Sequence, residues 1–295
     1  MQTFRYSLGE VPPLGYKTTL CLGTFDGFHK GHQSLILEAR KNGEGDVAVL
    51  LFDHSPTEFF DTGKSLDVLT SLEDKCRLFE SKGVDIVYIL HVDKGFFSLG
   101  KDEFIEKVLK PLSLERIVVG EDYSFGKNAE GNPTYLKKYF DVDVIPLMMI
   151  DGKKISTQSI VSFIKNGDIK DANTDLGRPY QIEGVVKHGY MNGRKIGFPT
   201  ANLSLLDRYV LPKDGVYVGL AYVHGMPHPS LVNVGKNPTV GLLKESVVEC
   251  YIKGIDEDLY GSLIYVEFLF RLRDEIKFAS LDEVKQQIEK DLKFL

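Results

Sequence analysis

Five short runs rich in Val, Ile and Leu punctuate the first half of the chain, at Thr18–Leu22, Val47–Phe52, Val84–Leu90, Arg116–Gly120 and Val142–Leu147. The segments between them carry apolar residues at helical spacing. Strands that alternate with helices pair in parallel through right-handed crossovers, because each helix must carry the chain back to the same end of the sheet. This alternation predicts a doubly wound α/β domain. Thr70 and Glu73 have capping-box spacing, with Leu72, Cys76 and Phe79 on one face and Gly83 placed to stop the helix. Phe104, Ile105, Val108 and Leu109 make a second such stripe.

The texture changes after about residue 150. Ile155–Lys165 and Asp168–Leu176 predict two short helices ending at Gly177-Arg178-Pro179. Beyond them β-type segments dominate, at Gln181–Lys187, Val216–His224, Ser230–Val234, Val247–Lys253 and Leu263–Phe270. Gly and Pro cluster between these segments, as in compact barrels and sandwiches. Ser280 and Glu283 form a second capping box, opening a final helix whose expected buried stripe is Leu281, Val284, Ile288 and Leu292. A length of 295 residues suits two domains, and the boundary is placed near 180, giving 1–180 and 181–295.

Charge narrows the choice of partner. With 36 basic against 42 acidic residues and a net charge of −6, the chain lacks the basic footprint that non-specific nucleic-acid binding requires. Small phosphorylated ligands need only a local cluster of positive charge and backbone N–H groups. No stretch approaches the length of apolar sequence that spans a membrane, so no membrane partner is expected. The segment Met1–Arg5 has no secretory pattern. Three widely spaced cysteines, Cys21, Cys76 and Cys250, suggest neither a disulfide framework nor a zinc cluster. A cytoplasmic location is expected; the oligomeric state is not legible.

The first chemical constellation follows the run Thr18–Leu22. It reads Gly23-Thr24-Phe25-Asp26-Gly27-Phe28-His29-Lys30-Gly31-His32 and leads into a helical segment at Leu35–Arg40. In open α/β sheets, ligands bind beyond the carboxyl ends of the strands, where this loop sits. Its glycines let the backbone approach a polyphosphate, and a helix N-terminus presents unpaired N–H groups. His29 and His32 project from nearly the same side and can donate hydrogen bonds to phosphate oxygens. A bare His-x-Gly-His is equally compatible with two surface histidines near a turn, and no third zinc ligand stands nearby. The whole loop resembles the active-site signature of the nucleotidyltransferase superfamily, whose members move a nucleoside monophosphate from a triphosphate and release pyrophosphate. No P-loop motif occurs.

The second constellation is the glycine-rich, basic stretch Gly189–Asn202. Lys187, Arg194 and Lys195 offer local positive charge, and Thr200 and Asn202 offer two hard oxygen ligands suited to Mg²⁺. The same stretch also fits a simple barrel hairpin. Glu249, in Val247–Ile252, alternates onto the face of Val247 and Tyr251. A carboxylate there is either paired structurally or used as a base.

Together the two constellations resemble the bifunctional bacterial FAD synthetases, which join a riboflavin kinase to an FMN adenylyltransferase. The likeness runs in order along nearly the whole chain. It takes in the His29/His32 loop and Val119–Lys127, then Gly197-Phe198-Pro199-Thr200-Ala201-Asn202, Gly215-Val216-Tyr217 and Asn233-Val234-Gly235. It continues through Pro238-Thr239, Val248-Glu249, Leu259-Tyr260-Gly261 and Arg273–Phe278. The resemblance implies a nucleotidyltransferase-like, Rossmann-like N-terminal domain and a small all-β barrel kinase domain with a C-terminal helix. The substrates and products it implies are ATP, riboflavin, FMN and FAD, with Mg²⁺ as cofactor.

It also implies roles. His29 and His32 would bind the ATP phosphates during adenylyl transfer, with Gly23, Phe25, Asp26, Gly27, Gly31, Ser156 and Thr157 around the same nucleotide. In the kinase, Arg194, Lys195, Gly197, Pro199, Thr200 and Asn202 would bind ATP, with Thr200 and Asn202 on the metal. Glu249 would take the proton of the ribityl 5′-hydroxyl. Asp122 and Arg273 would lie by the flavin, and any ring stacking must come from Phe or Tyr, because the chain has no Trp.

Four departures from the family pattern stand out. Val161 occupies a position where the family has arginine, and Ser159 one where arginine is frequent; Asp53-His54-Ser55-Pro56 replaces a Pro-His-Pro element, and Gly254-Ile255 replaces Asp-Phe. They make a weakened or degenerate adenylyltransferase beside a working kinase the main alternative, and a non-catalytic flavin- or nucleotide-binding regulator the second. Class I aminoacyl-tRNA synthetases share a His-x-Gly-His loop, but their Lys-Met-Ser-Lys-Ser partner is missing here.

Overall fold

The computed structural model describes residues 1–10, 18–42, 45–60, 67–188, 197–236 and 246–295. Its contacts divide the chain into two units, one of residues 1–66 and 70–156, the other of 67–69 and 157–295. No helix among the described residues is long and apolar enough to cross a membrane.

The first unit is built on six strands: β1 (Gln2–Ser7), β2 (Thr18–Leu22), β3 (Asp46–Phe52), β4 (Ile86–His91), β5 (Leu114–Gly120) and β6 (Val142–Ile145). Every pairing is parallel, in the order β1-β4-β3-β2-β5-β6. The five apolar runs became β2 to β6. β1 was not foreseen, because it is a half-exposed terminal strand with polar Gln2, Thr3, Arg5 and Ser7. Successive side chains of the inner strands enter opposite cores. Leu20, Ala48, Leu50, Tyr88 and Ile117 pack on one face, and Cys21, Val47, Val49, Val87 and Val118 on the other. From β2 the chain winds outward through β3 and β4, then crosses to β5 on the other side. The carboxyl ends of β2 and β5 therefore flank the topological switch point, where open α/β sheets bind ligands.

The helix Leu72–Ser81 has its capping box one residue later than expected. Ser71, not Thr70, is the cap: Ser71 Oγ accepts from the Asp74 N–H, and Asp74 Oδ2 accepts from the Ser71 N–H, both at 3.0 Å. Thr70 is engaged instead with Asp26 and Gly27 of the loop after β2. The stripe Phe104, Ile105, Val108 and Leu109 is buried as expected, on a helical turn at Lys101–Phe104 that widens into a π-turn at Ile105–Leu109. A two-stranded ribbon, β7 (Met149–Ile150) with β8 (Lys153–Lys154), follows the sheet.

The second unit opens with the two expected helices, Thr157–Asn166 and Ile169–Leu176, the latter ended by Gly177 at φ 71°. They are fastened to the strands that follow. Asn173 Nδ2 donates to the Phe268 carbonyl at 2.8 Å, and its Oδ1 accepts from the Tyr180 N–H at 2.7 Å. By contacts these helices group with the barrel, whereas the boundary expected near 180 marks the barrel's first strand.

That barrel comprises β9 (Tyr180–Lys187), β10 (Ala201–Leu205), β11 (Gly215–Val223), β12 (Met226–Lys236), β13 (Ser246–Ile252) and β14 (Leu263–Arg273). It closes in the order β10-β13-β12-β11-β14-β9, antiparallel throughout. Ile182, Tyr217, Ala221, Val232, Val266 and Phe268 are fully buried in it. The last helix, Leu281–Asp291, departs from expectation at two points. Ser280 accepts from the Glu283 N–H at 3.3 Å, but Glu283 reaches back to the Ala279 N–H instead of the cap. Leu281 is 54% exposed, and the buried member of the helix is Asp291. The reason is an ion pair between Asp291 and Arg273 of β14.

Candidate functional site

The loop after β2 is held in a shape that ordinary residues resist. Phe25 and Phe28 have φ of 52° and 39°, Gly27 has φ 75°, and both phenylalanines are fully buried. Left-handed backbone at a bulky residue persists only where its surroundings over-determine it. Here the fixing contact comes from Thr70. Its N–H and hydroxyl both donate to Asp26 Oδ1 at 3.1 Å, and its Oγ1 accepts from the Gly27 N–H at 2.9 Å. Asp26 thus braces the loop from within. Phe25 and Phe28 pack edge-on against Phe79 of the Leu72–Ser81 helix, at 5.4 and 4.9 Å.

His29 stands immediately before the helix Lys30–Asn42 and is buried. Its Nδ1 accepts from the His32 N–H at 3.3 Å, so the neutral ring carries its proton on Nε2. A Cβ on Gly31 would lie 3.1 Å from that ring, which explains the glycine between the two histidines. The two imidazoles stack with centroids 3.6 Å apart and planes 19° apart. Burial lowers His29 to about 4, with Asp122 opposing and Lys154 reinforcing the shift. Burial also lowers His32 well below the ordinary imidazole value, helped by His29 and Lys75. His32 Nδ1 is buried with no hydrogen-bond partner among the described residues. Two neutral rings at a helix N-terminus, one with an unsatisfied nitrogen, form a site suited to an anion that brings its own acceptors or protons.

Asp122 follows β5, across the switch point. It is half-exposed and takes Lys154 Nζ on Oδ2 at 2.7 Å. Its neighbour Glu121 accepts from the Leu147 N–H at 3.0 Å. Ser156 and Thr157 are half-buried at the start of the Thr157–Asn166 helix, with Val161 one turn further on.

In the barrel, register aligns the second set of residues. Arg273 lies opposite Val216, Val216 opposite Asn233, Asn233 opposite Glu249, Glu249 opposite Asn202, and Asn202 opposite Lys187. Directly paired residues share a face, so a row crosses all six strands with Glu249 between two asparagines. Asn202 is buried and Glu249 half-buried. Burial raises the Glu249 carboxyl above the ordinary range, and among the described residues no cation or donor offsets it. Thr200 is half-buried one step before β10, while Gly197 (φ 85°) and Pro199 are exposed. Arg194 and Lys195, and the family motif at Pro238-Thr239, lie outside the described residues.

Arg273 is already engaged. Its Nε and Nη2 donate to Asp291 Oδ2 at 2.9 and 2.7 Å, and Asp291 is 3% exposed. This pair buries the polar end of the final helix, while Leu292 and Leu295 pack on Val216, Val218 and Leu231. Sequence reasoning missed a further group at the carboxyl ends of β3 and β4. Phe52, Phe59, Phe60, Phe96 and Phe97 form a chain of ring contacts 5.0 to 6.3 Å apart, beside Asp53, His54 and His91. The signal was present as two Phe-Phe doublets, one in each loop after these strands.

The buried histidines have a measurable consequence. An unfolded imidazole titrates near 6.5 and His29 near 4, so between these values the unfolded chain binds a proton that the folded one refuses. Stability contributed by neutral His29 is therefore complete above about 6.5 and is lost as pH falls toward about 4, amounting to about 3 kcal/mol at full development. In urea titrations of the first unit, His29→Gln should flatten this acid slope. A slope as steep as the parent's would show that His29 is not held neutral.

The comparisons with known proteins match both modules of the chain. A family model described as FAD synthetase matches residues 13–159, and one described as riboflavin kinase matches 176–295. Relatives named bifunctional riboflavin kinase/FMN adenylyltransferase include one from Listeria monocytogenes, 36% identical over 92% of this chain and 89% of its own length. Another, from Escherichia coli K12, is 36% identical over 97% of this chain and 93% of its own. A Streptococcus pneumoniae crystal structure described as a macrolide-efflux protein superposes with a TM-score of 0.91 at 32% identity, covering 99% of this chain and 98% of that one. With both modules present in order and relatives matched nearly end to end, the chain belongs to the bifunctional riboflavin kinase/FMN adenylyltransferase family.

Proposed function

We propose that the protein makes FAD from riboflavin in two ATP-dependent steps, the barrel forming FMN and the α/β unit adenylylating it. The observation that carries this reading is Glu249, a half-buried carboxylate with no compensating charge among the described residues, set in register between Asn202 and Asn233. In the first step Glu249 takes the proton of the ribityl 5′-hydroxyl as its oxygen attacks the γ-phosphorus, and ADP leaves. Thr200 and Asn202 present the hard oxygen donors that Mg²⁺ prefers, and would hold it there. The ion supplies charge neutralisation on the phosphate oxygens when bound.

In the second step a 5′-phosphate oxygen of FMN attacks the α-phosphorus of ATP and pyrophosphate departs. His29 Nε2–H and the adjoining helix N-terminus stabilise the charge that collects on the phosphates. Gly23, Phe25, Gly27 and Gly31 shape the loop around the nucleotide, and Ser156 and Thr157 belong to the same proposed nucleotide site. Asp122 and Arg273 are proposed flavin contacts, and each would meet the flavin while held by its own ion pair, with Lys154 and Asp291 respectively. The exposed phenylalanines Phe52 and Phe60 are suited to stack on an aromatic substrate. The kinase module is taken to begin near 180, where β9 starts and close to the start of the riboflavin kinase match at 176. A cytoplasmic enzyme acting on small molecules, without nucleic-acid or membrane partners, fits the net charge of −6 and the free cysteines. A regulator without chemistry has little need of a general base and a metal-binding pair.

Glu249→Gln should lower FMN formation by about 10²–10⁴ while FAD formation from supplied FMN persists. Because burial raises the Glu249 pKa, kinase activity should fall as pH drops through a value above the ordinary carboxylate, about 4.3, when the base becomes protonated. Near-parental phosphorylation by Glu249→Gln would make this a structural carboxylate.

Thr200→Val and Asn202→Leu should each raise the Mg²⁺ concentration needed for half-maximal kinase turnover, since each removes a hard oxygen donor. An unchanged Mg²⁺ requirement in both variants would place the ion elsewhere.

The third outcome concerns Val161 and Ser159, where the family pattern favours arginine. A bidentate guanidinium stabilises a departing pyrophosphate in a way that neither side chain can. Adenylyl transfer should be the slower step, and Val161→Arg with Ser159→Arg should raise FAD formation from FMN without altering riboflavin phosphorylation. Lys154, close enough to His29 to depress its pKa, is the residue best placed to compensate in part. FAD synthesis as fast as FMN synthesis, with no gain from the arginines, would show that they were never limiting.

A further inference from the structure

The loops after β3 and β4 bring together three groups that neither proposed reaction step uses. Asp53 follows β3 directly, and its N–H donates to the Leu90 carbonyl at 3.2 Å, which places it beside His91 at the end of β4. His54 is the next residue in the chain. One ligand-type atom from each of Asp53, His54 and His91 lies within 4.8 Å of the others. Asp53 Oδ2 is 2.6 Å from His91 Nδ1 and 4.0 Å from His54 Nε2.

The supporting contacts are those a metal centre needs. His54 Nδ1 meets Glu58 Oε2 at 2.7 Å, and Glu58 Oε1 is itself fixed by the Ser55 N–H at 2.7 Å. With Nδ1 held by Glu58, the ring nitrogen turned toward Asp53 is Nε2, 4.0 Å from Asp53 Oδ2, and a metal there would take the place of any proton it carries. A carboxylate that orients a histidine through its distal nitrogen is the usual outer partner of a metal ligand. Asp53 Oδ1 accepts from the Val92 N–H at 3.0 Å, which turns Oδ2 toward the two rings. Two imidazoles and one carboxylate favour a borderline divalent ion such as Zn²⁺ or Co²⁺ over Mg²⁺, which prefers oxygen. The rings sit 5.9 Å apart with planes at 72°, so both nitrogens reach a common point only after a small side-chain adjustment.

We propose that Asp53, His54 and His91 bind one divalent transition-metal ion, with Glu58 positioning His54. Binding would place the ion between His91 Nδ1 and Asp53 Oδ2 in place of the hydrogen bond that joins them. Three protein ligands leave a coordination position open, which water or an oxyanion would fill, as in reactive rather than purely structural zinc sites.

Calorimetric titration of the full-length protein with Zn²⁺, and the visible ligand-field bands of added Co²⁺, test the site. One ion should bind per chain, undisturbed by excess Mg²⁺. His91→Ala and His54→Ala should each weaken binding by at least about tenfold, and Glu58→Gln by about 10–100-fold. Both histidine side chains are substantially exposed, at 61% and 40%, so the metal-free variants should melt as the parent does. Crystals soaked in Zn²⁺ should show an anomalous peak among the three residues, a readout independent of any variant. Unchanged affinity in His91→Ala, or a peak at His29 and His32 instead, would overturn the proposal.

Discussion

Burial against charge is the constraint on which both proposed reactions rest. His29, His32 and Glu249 are acid–base groups set where desolvation opposes their ionised forms, and among the described residues His32 Nδ1 has no hydrogen-bond partner and no cation offsets Glu249. Such placements cost stability, because a buried polar atom without a partner forfeits its hydration. The α/β unit offsets the cost with a sheet whose inner strands are buried on both faces, and the second unit with a closed barrel. Binding energy from phosphates or a hydroxyl is then gained at groups that desolvation already holds away from their ionised forms.

Much of this was legible in the sequence wherever local chemistry and global fold agree. The loop Gly23–His32 announces itself because glycines, a preceding apolar run and a following helix coincide, and the structure sets it at the switch point. The face of Glu249 was legible from alternation, since a strand's period of two carries it to the side of Tyr251, but its role as a base was implied only by the family resemblance. Features decided by tertiary contacts were not. Thr70 has the right spacing for a cap, yet Asp26, 44 residues earlier in the chain, claims its hydroxyl and passes the cap to Ser71. Asp291 reads as a solvent residue of an amphipathic helix until Arg273 is seen beside it. β1 and β10 escaped notice because one is half-exposed and polar, and the other is broken up by polar Asn202 and Ser204.

The barrel row shows how register can replace sequence proximity. Lys187, Asn202, Asn233, Glu249 and Arg273 are spread over nearly ninety positions, yet antiparallel pairing sets them in line across neighbouring strands. A slip by one residue in any one of these strands would turn its member of the row to the opposite face. The packed interior of the barrel, fixed by residues such as Tyr217, Val232 and Phe268, is therefore also what specifies the chemistry outside it.

The two architectures differ in what they leave open to a neighbouring chain. The closed barrel has no first or last strand, so each of its strands pairs on both sides. The parallel sheet ends at β1 and β6, and free strand edges are templates for association between molecules. Both ends carry deterrents. Arg5 lies on β1, and β6 is only four residues long, with Asp143 engaged by Arg116. Parallel strands also form late, because each pairing must close a long loop before it is rewarded. Misassembly during synthesis thus threatens the α/β half more than the barrel, and the charges on its two outer strands act as guards while the sheet is being completed.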